Sequence, residues 1–173
     1  MASALKVQTF EGAFAQPNPY WQPAGFPPYP TALAGPGGLV AGAGGLIQGR
    51  FGWGNPATLQ TINQPSAGAV LGVVVPIVGW RATWGRVFFD CSVPGGAWRI
   101  RQGLPVTLCV GGPFWLRFAA GAVPGQRVYA DPVDGHAISG NTGGGAVLTP
   151  WTVVTPAGPW GLAIVSSTAD VGA

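Results

Sequence analysis

Beyond Gly44 the chain reads as short apolar runs separated by turn residues, the period-two pattern of β-strands. The first run covers residues 46–53. A β-branched run follows at 69–78, where Pro76 marks an edge, a bend or a bulge. Further runs lie at 86–90, 97–101, 105–110, 114–118, 126–130 and 160–166. Along 97–101, Trp98 and Ile100 share one face, and Arg99 and Arg101 share the other. Along 114–118, Phe114, Leu116 and Phe118 stand opposite Trp115 and Arg117. The intervening Gly111-Gly112-Pro113 predicts a hairpin between the two strands that flank it.

The turns have a mechanism. Val93-Pro94-Gly95-Gly96 and Val123-Pro124-Gly125-Gln126 place Pro and then Gly at the central positions, as type II turns require. Asp131-Pro132-Val133-Asp134-Gly135 is a further turn, and residues 141–145 read as a mobile loop. Turn signals this frequent predict an all-β domain, either a jelly roll, a sandwich or a small barrel. The sequence contains no exact internal repeat.

Ahead of that domain stands a different kind of text. The first 43 residues hold seven prolines and two charges, Lys6 and Glu11. Proline removes backbone donors and biases its predecessor to extended geometry, so 17–38 is neither a helix nor a central strand. The division is an extended Pro/Gly-rich N-terminal arm over 1–43 and a β domain over 44–173. Tyr20, Trp21, Phe26 and Tyr29 fall within ten residues of the arm. Linkers are usually Gly/Ser-rich or charged. An aromatic arm is better suited to docking on another protein, with these four residues as its anchors.

Composition sharpens this picture. The chain has 30 glycines and 18 prolines, enough to raise disorder, but it is 47% hydrophobic with 8 Trp and 8 Phe. Glycine and proline therefore punctuate turns. Only 8% of residues are charged, well below the roughly 25% of an ordinary domain, which predicts a surface largely covered by partners. The net charge of +3 comes from Lys6 and arginines scattered over separate strands. Phosphate binding needs a cluster, so nucleic acid is not expected as a partner. Residues 1–12 lack the apolar core of a signal peptide, and the most apolar run, 67–80, is too short to cross a bilayer. No membrane partner is expected, and synthesis in a reducing cytoplasm favours free buried thiols at Cys91 and Cys109.

Reactive chemistry is sparse. His136 is the single histidine and reads as a surface-loop residue, with no metal site or cofactor expected. Asp131 and Asp134 bracket a turn, where Asp caps backbone amides. A hydrolase would need Asp90 brought to these two acids in a cleft. No G-x-S-x-G elbow or P-loop lysine is present. These readings point to an assembly subunit with no catalytic residues.

Three segments carry a resemblance. The glycine-rich lead from Ala41 to Gly45 runs into Gly49-Arg50-Phe51-Gly52-Trp53. Gly103-Leu104-Pro105-Val106-Thr107-Leu108 precedes Phe114-Trp115, and Gly125-Gln126-Arg127-Val128-Tyr129-Ala130-Asp131 precedes Gly135. In order and spacing these, with a closing strand from Trp160 to Val165, resemble the structural cement (head decoration) proteins of tailed bacteriophages over roughly residues 41–167. Pro113 departs from the pattern, where an acidic residue is expected before Phe-Trp. The resemblance implies a β-rich jelly roll or barrel without catalytic residues, bound outside the expanded head across junctions of the major capsid protein. It implies assembly in the host bacterial cytoplasm, with self-association as a dimer or trimer on the capsid. A tail or fibre β domain, or a receptor-binding module of the virion, is the alternative.

Overall fold

The computed structural model describes residues 22–23, 31–32, 38–76, 87–90, 97–140 and 145–167. The predicted turn at 93–96, most of the loop at 141–145, Cys91 and the four arm aromatics lie outside the described residues. The described chain is all β. Its strands are β1 (Gln22–Pro23), β2 (Thr31–Ala32), β3 (Leu39–Ala41), β4 (Leu46–Ile47), β5 (Phe51–Gly54), β6 (Gln60–Ile62), β7 (Val70–Pro76) and β8 (Val87–Asp90). They continue as β9 (Ala97–Ile100), β10 (Pro105–Cys109), β11 (Phe114–Phe118), β12 (Arg127–Ala130), β13 (Ala137–Ser139), β14 (Val147–Val153) and β15 (Gly161–Ser167).

Of the predicted architectures the small barrel is the one adopted, and it occurs twice. The first ring runs β10–β3–β6–β5–β7 and closes back on β10. The second runs β11–β13–β12–β14–β15 and closes back on β11. The two rings share one pairing scheme. In each, the first strand pairs parallel with the third (β3 with β6, β11 with β13), and all other pairs are antiparallel. Ring closure removes the open sheet edges that invite aggregation. β4, β9 and β8 form a separate small sheet inserted into the first ring's connections.

The duplication extends to one turn. Asn55-Pro56-Ala57-Thr58-Leu59-Gln60 in the first ring matches Asp131-Pro132-Val133-Asp134-Gly135-His136 in the second. The Asn55 N–H donates to the Gln60 carbonyl at 2.8 Å, and the Asp131 N–H to the His136 carbonyl at 2.9 Å. The Leu59 N–H donates to the Asn55 carbonyl at 2.8 Å, and the Gly135 N–H to the Asp131 carbonyl at 3.0 Å. Each Asx side chain accepts the N–H two residues on, Ala57 at 2.8 Å and Val133 at 2.7 Å. Leu59 and Gly135 both adopt the left-handed conformation, with φ of 58° and 72°.

Strand chemistry explains the layers. Phe114, Leu116 and Phe118 are buried and alternate with half-buried Trp115 and Arg117, as the sequence predicts. In β5 the alternation is Phe51 and Trp53 against Gly52 and Gly54. Added Cβ atoms would lie 2.6 Å from the Val74 side chain at Gly52 and 2.8 Å from the Leu39 side chain at Gly54, so a side chain at either position would displace neighbours in the ring interior. Phe51, Trp53, Val73 and Cys109 of the first ring join the interior of the second, from Phe114 to Val165, in one continuous core. Leu39, Leu46, Val74, Ile100, Val106 and Leu108 form the other core.

Two expectations are corrected. β10 and β11 are not a hairpin: β10 pairs with β2, β3 and β7, and β11 with β1, β13 and β15. Gly111-Gly112-Pro113 is the crossing from one ring to the next. The run at 46–53 is two strands, broken where Gly49 takes a φ of 70°. The turn Val123-Pro124-Gly125-Gln126 behaves as predicted, with Gly125 at φ 86° and the Gln126 N–H donating to the Val123 carbonyl at 3.2 Å.

Candidate interaction surfaces

Three surfaces stand out. The first is where the arm meets the rings. β1 pairs antiparallel with the start of β11, Gln22 opposite Trp115 and Pro23 opposite Phe114. β2 pairs antiparallel with the end of β10, Ala32 opposite Leu108 and Thr31 opposite Cys109. Each uses the half of the strand that its ring leaves unpaired, since β3 covers Pro105 and Val106, and β13 covers Phe118. Both rings are closed without these additions. The two described arm strands are therefore laid on the domain by main-chain pairing, one on each ring.

The second surface is a clasp between the rings. The 131–136 turn of the second ring sits on the start of β5. The Phe51 N–H donates to the Gly135 carbonyl at 2.7 Å, and Arg50 Nη1 bonds both the Asp134 carbonyl and its carboxylate. Gln64 Nε2 donates to the Val133 carbonyl at 2.9 Å. Asn63 holds the receiving strands, accepting from the Ile47 N–H at 2.8 Å and donating to the Phe51 carbonyl at 2.7 Å. The acids cap amides as expected: Asp131 accepts from Val133, and Asp134 from His136 at 3.1 Å. His136 Nδ1 lies 2.7 Å from Asp134 Oδ1. That side-chain bond, the His136 N–H and the Arg50 charge hold the Asp134 carboxyl well below the usual carboxylate range, against a partial burial that opposes the shift.

Asp131, Asp134 and His136 offer one ligand atom each within 4.8 Å of one another, and in principle could hold a cation. The positive charge beside them is already the Arg50 guanidinium, and both Asp134 oxygens and Asp131 Oδ1 accept hydrogen bonds from the protein. The group works as a fastener between rings. Sequence reasoning placed both acids correctly but counted Arg50 among scattered arginines. The side chain of Asp90 is outside the described set.

The third surface is the far rim of the second ring, built by residues 119–126 and 154–160. Ala122 and Ala157 exchange N–H···O bonds of 2.8 and 2.9 Å, and the Gly125 N–H donates to the Val153 carbonyl at 2.8 Å. Val123, Val154 and Trp160 are 60%, 51% and 51% exposed there. Trp160 has a φ of 60°, an unusual conformation for a bulky residue, and its N–H donates to the Ala119 carbonyl at 3.2 Å. No charged residue occurs in either loop. Trp160, predicted to open the last strand, instead precedes it in the left-handed conformation, which nothing in the local sequence announces.

Two closed β-rings, a strand-paired arm and acids committed to fastening turns define a β-rich structural module whose chemistry lies in its surfaces. A family model described as structural cement protein (E217 gp24/Pam3 gp6) matches residues 8–168, and the chain belongs to that family. It is thereby a structural component of the bacteriophage capsid. The match reaches back to residue 8, well before the segments that carried the resemblance, so the Pro-rich arm is part of the family pattern. No curated protein matches the chain.

Proposed function

We propose that this protein binds the outer surface of the expanded head and stabilises junctions between major capsid protein subunits, as a non-catalytic part without cofactor or metal. The family match over residues 8–168 is the observation that carries this reading. A subunit that binds only the mature lattice stabilises it by mass action, and many modest contacts on a repeated lattice give high avidity. Its partners are the major capsid protein and further copies of itself, as a dimer or trimer, with neither nucleic acid nor membrane involved. Assembly takes place in the host bacterial cytoplasm.

The residues ahead of β3 serve as the docking arm, and the rings, from Leu39 onward, as the β domain. The strands at Gln22–Pro23 and Thr31–Ala32 support this division of labour, because they pin two points of the arm to its own domain. Tyr20 and Trp21 directly precede the first of these strands, and Phe26 and Tyr29 fall between the two. These aromatics anchor the arm in pockets of the shell.

The test is co-sedimentation of the purified protein with expanded and unexpanded heads that lack it. Saturable binding to the expanded form alone is expected, and binding to neither form overturns the proposal. Removing residues 1–38 is expected to lower occupancy without unfolding the rings. Unchanged occupancy would remove the arm from the account.

A further inference from the structure

The tandem rings show one contact from the inside that they leave open on the outside. Within the chain, the Asx-Pro turn of the second ring (131–136) seats on the first ring where β5 begins and β6 ends, at Arg50, Phe51 and Asn63. Arg50, Phe51 and Asn63 each have a polar counterpart on the other ring, whereas Gln64 is matched by Gly140, which has no side-chain donor. The matching turn on the first ring is 55–60, with the same internal hydrogen bonds and with Pro56, Ala57 and Thr58 exposed. The matching receiving positions on the second ring are Gln126, Arg127 and Ser139, beside the exposed apolar side chains of the 119–126 and 154–160 rim.

The substitutions between the two sets are complementary. Arg50 and Asp134, the ion pair of the internal contact, are replaced by Gln126 and Thr58, an uncharged pair able to hydrogen-bond. The 55–60 turn carries no charge, and neither do the two rim loops. The uncharged turn meets two uncharged rim loops, and the one charge among the receiving positions, Arg127, is exposed at the edge of the contact, where it can keep its water.

We infer that copies of this protein bind one another through a heterologous contact, the 55–60 turn of one copy seated on the 119–126/154–160 rim of the next. The contact uses two different patches, so it links copies in a directional series that closes into a ring or continues along a surface. This deepens the self-association proposed above by naming both faces. Its test uses no heads, so its failure is separate from failure of the capsid-binding reading.

The experiment is oxidative cross-linking of two variants, Thr58→Cys and Gln126→Cys, each with Cys91→Ser, so that each has one introduced cysteine beside the buried Cys109. Cys109 is left in place because burial makes it unreactive. Each variant is checked against the parent by thermal unfolding, with Ala120→Cys replacing Gln126→Cys if the latter does not fold. Mixed at the highest soluble concentration, the two variants are expected to give a covalent heterodimer, while neither alone forms a covalent dimer. Adding Val123→Asp to the Gln126→Cys chain is expected to cut the yield at least tenfold. Homodimers as abundant as heterodimer would show a two-fold symmetric contact and overturn the inference. Failure of the mixture to cross-link would overturn it as well.

Discussion

Phe51 and Trp151 meet across the two rings, their ring centroids 5.5 Å apart and their planes tilted by 51°. Both are fully buried, and the Trp151 indole N–H donates to the Gly112 carbonyl at 2.9 Å in the crossing between rings. This pair ties the outer face of the first ring to the interior of the second.

If the rings share a core, removing one member of the pair should weaken the whole. Phe51→Ala is expected to cost roughly 3–5 kcal/mol, the usual range for a buried Phe truncation. Urea unfolding followed by tryptophan fluorescence checks this. A loss below about 1 kcal/mol would mean that the site collapses freely and the rings are independent.

Asp134 gives the clasp a pH dependence with a definite sign. Its folded carboxyl titrates below the usual range, first through the His136 side-chain bond. The stabilisation is fully present above the ordinary carboxylate value and is lost as pH falls through the lower folded value. Asp134→Asn is therefore expected to be less stable than the parent at pH 7, with the gap narrowing below about pH 4. Denaturant midpoints measured from pH 7 to pH 3 decide it, and a gap that widens in acid contradicts the assignment.

Cys109 is buried and free, and burial raises its thiol to about 11. The thiolate is the reactive form, so a thiol reagent at pH 8 should not label it in the folded protein. With Cys91→Ser in place, labelling is expected only at the rate of unfolding. Rapid labelling under native conditions would contradict the packing of β10 against β7 and β2.

Much of the second ring was legible because its strands carry clean alternation. Phe114, Leu116 and Phe118 announced both a strand and its buried face. The Val123–Gln126 turn announced itself because Pro and Gly each fix a backbone angle. β14 was missed because Pro150 interrupts it. In the structure Pro150 sits where the β12–β14 register shifts, between the pairs Tyr129–Leu148 and Arg127–Thr152, and a bulge tolerates a residue without an N–H. β6 and β13 have three residues each, too few to show a period. The hairpin expected around Gly111 failed because local turn chemistry does not say which strands pair. The duplication was invisible because the rings share a pairing scheme and a turn, while most side chains differ. The clasp escaped notice because Arg50 and Asp134 are far apart in sequence and only the folded topology joins them.

The central claim is that this protein sits on the outside of the expanded head across subunit junctions. An electron cryomicroscopy reconstruction of expanded heads, before and after addition of the purified protein, tests it most directly. The account predicts new density on the outer surface at every equivalent junction, touching at least two major capsid protein subunits and fitting the tandem of rings. Density on the inner surface, or confined to the tail vertex, would contradict it.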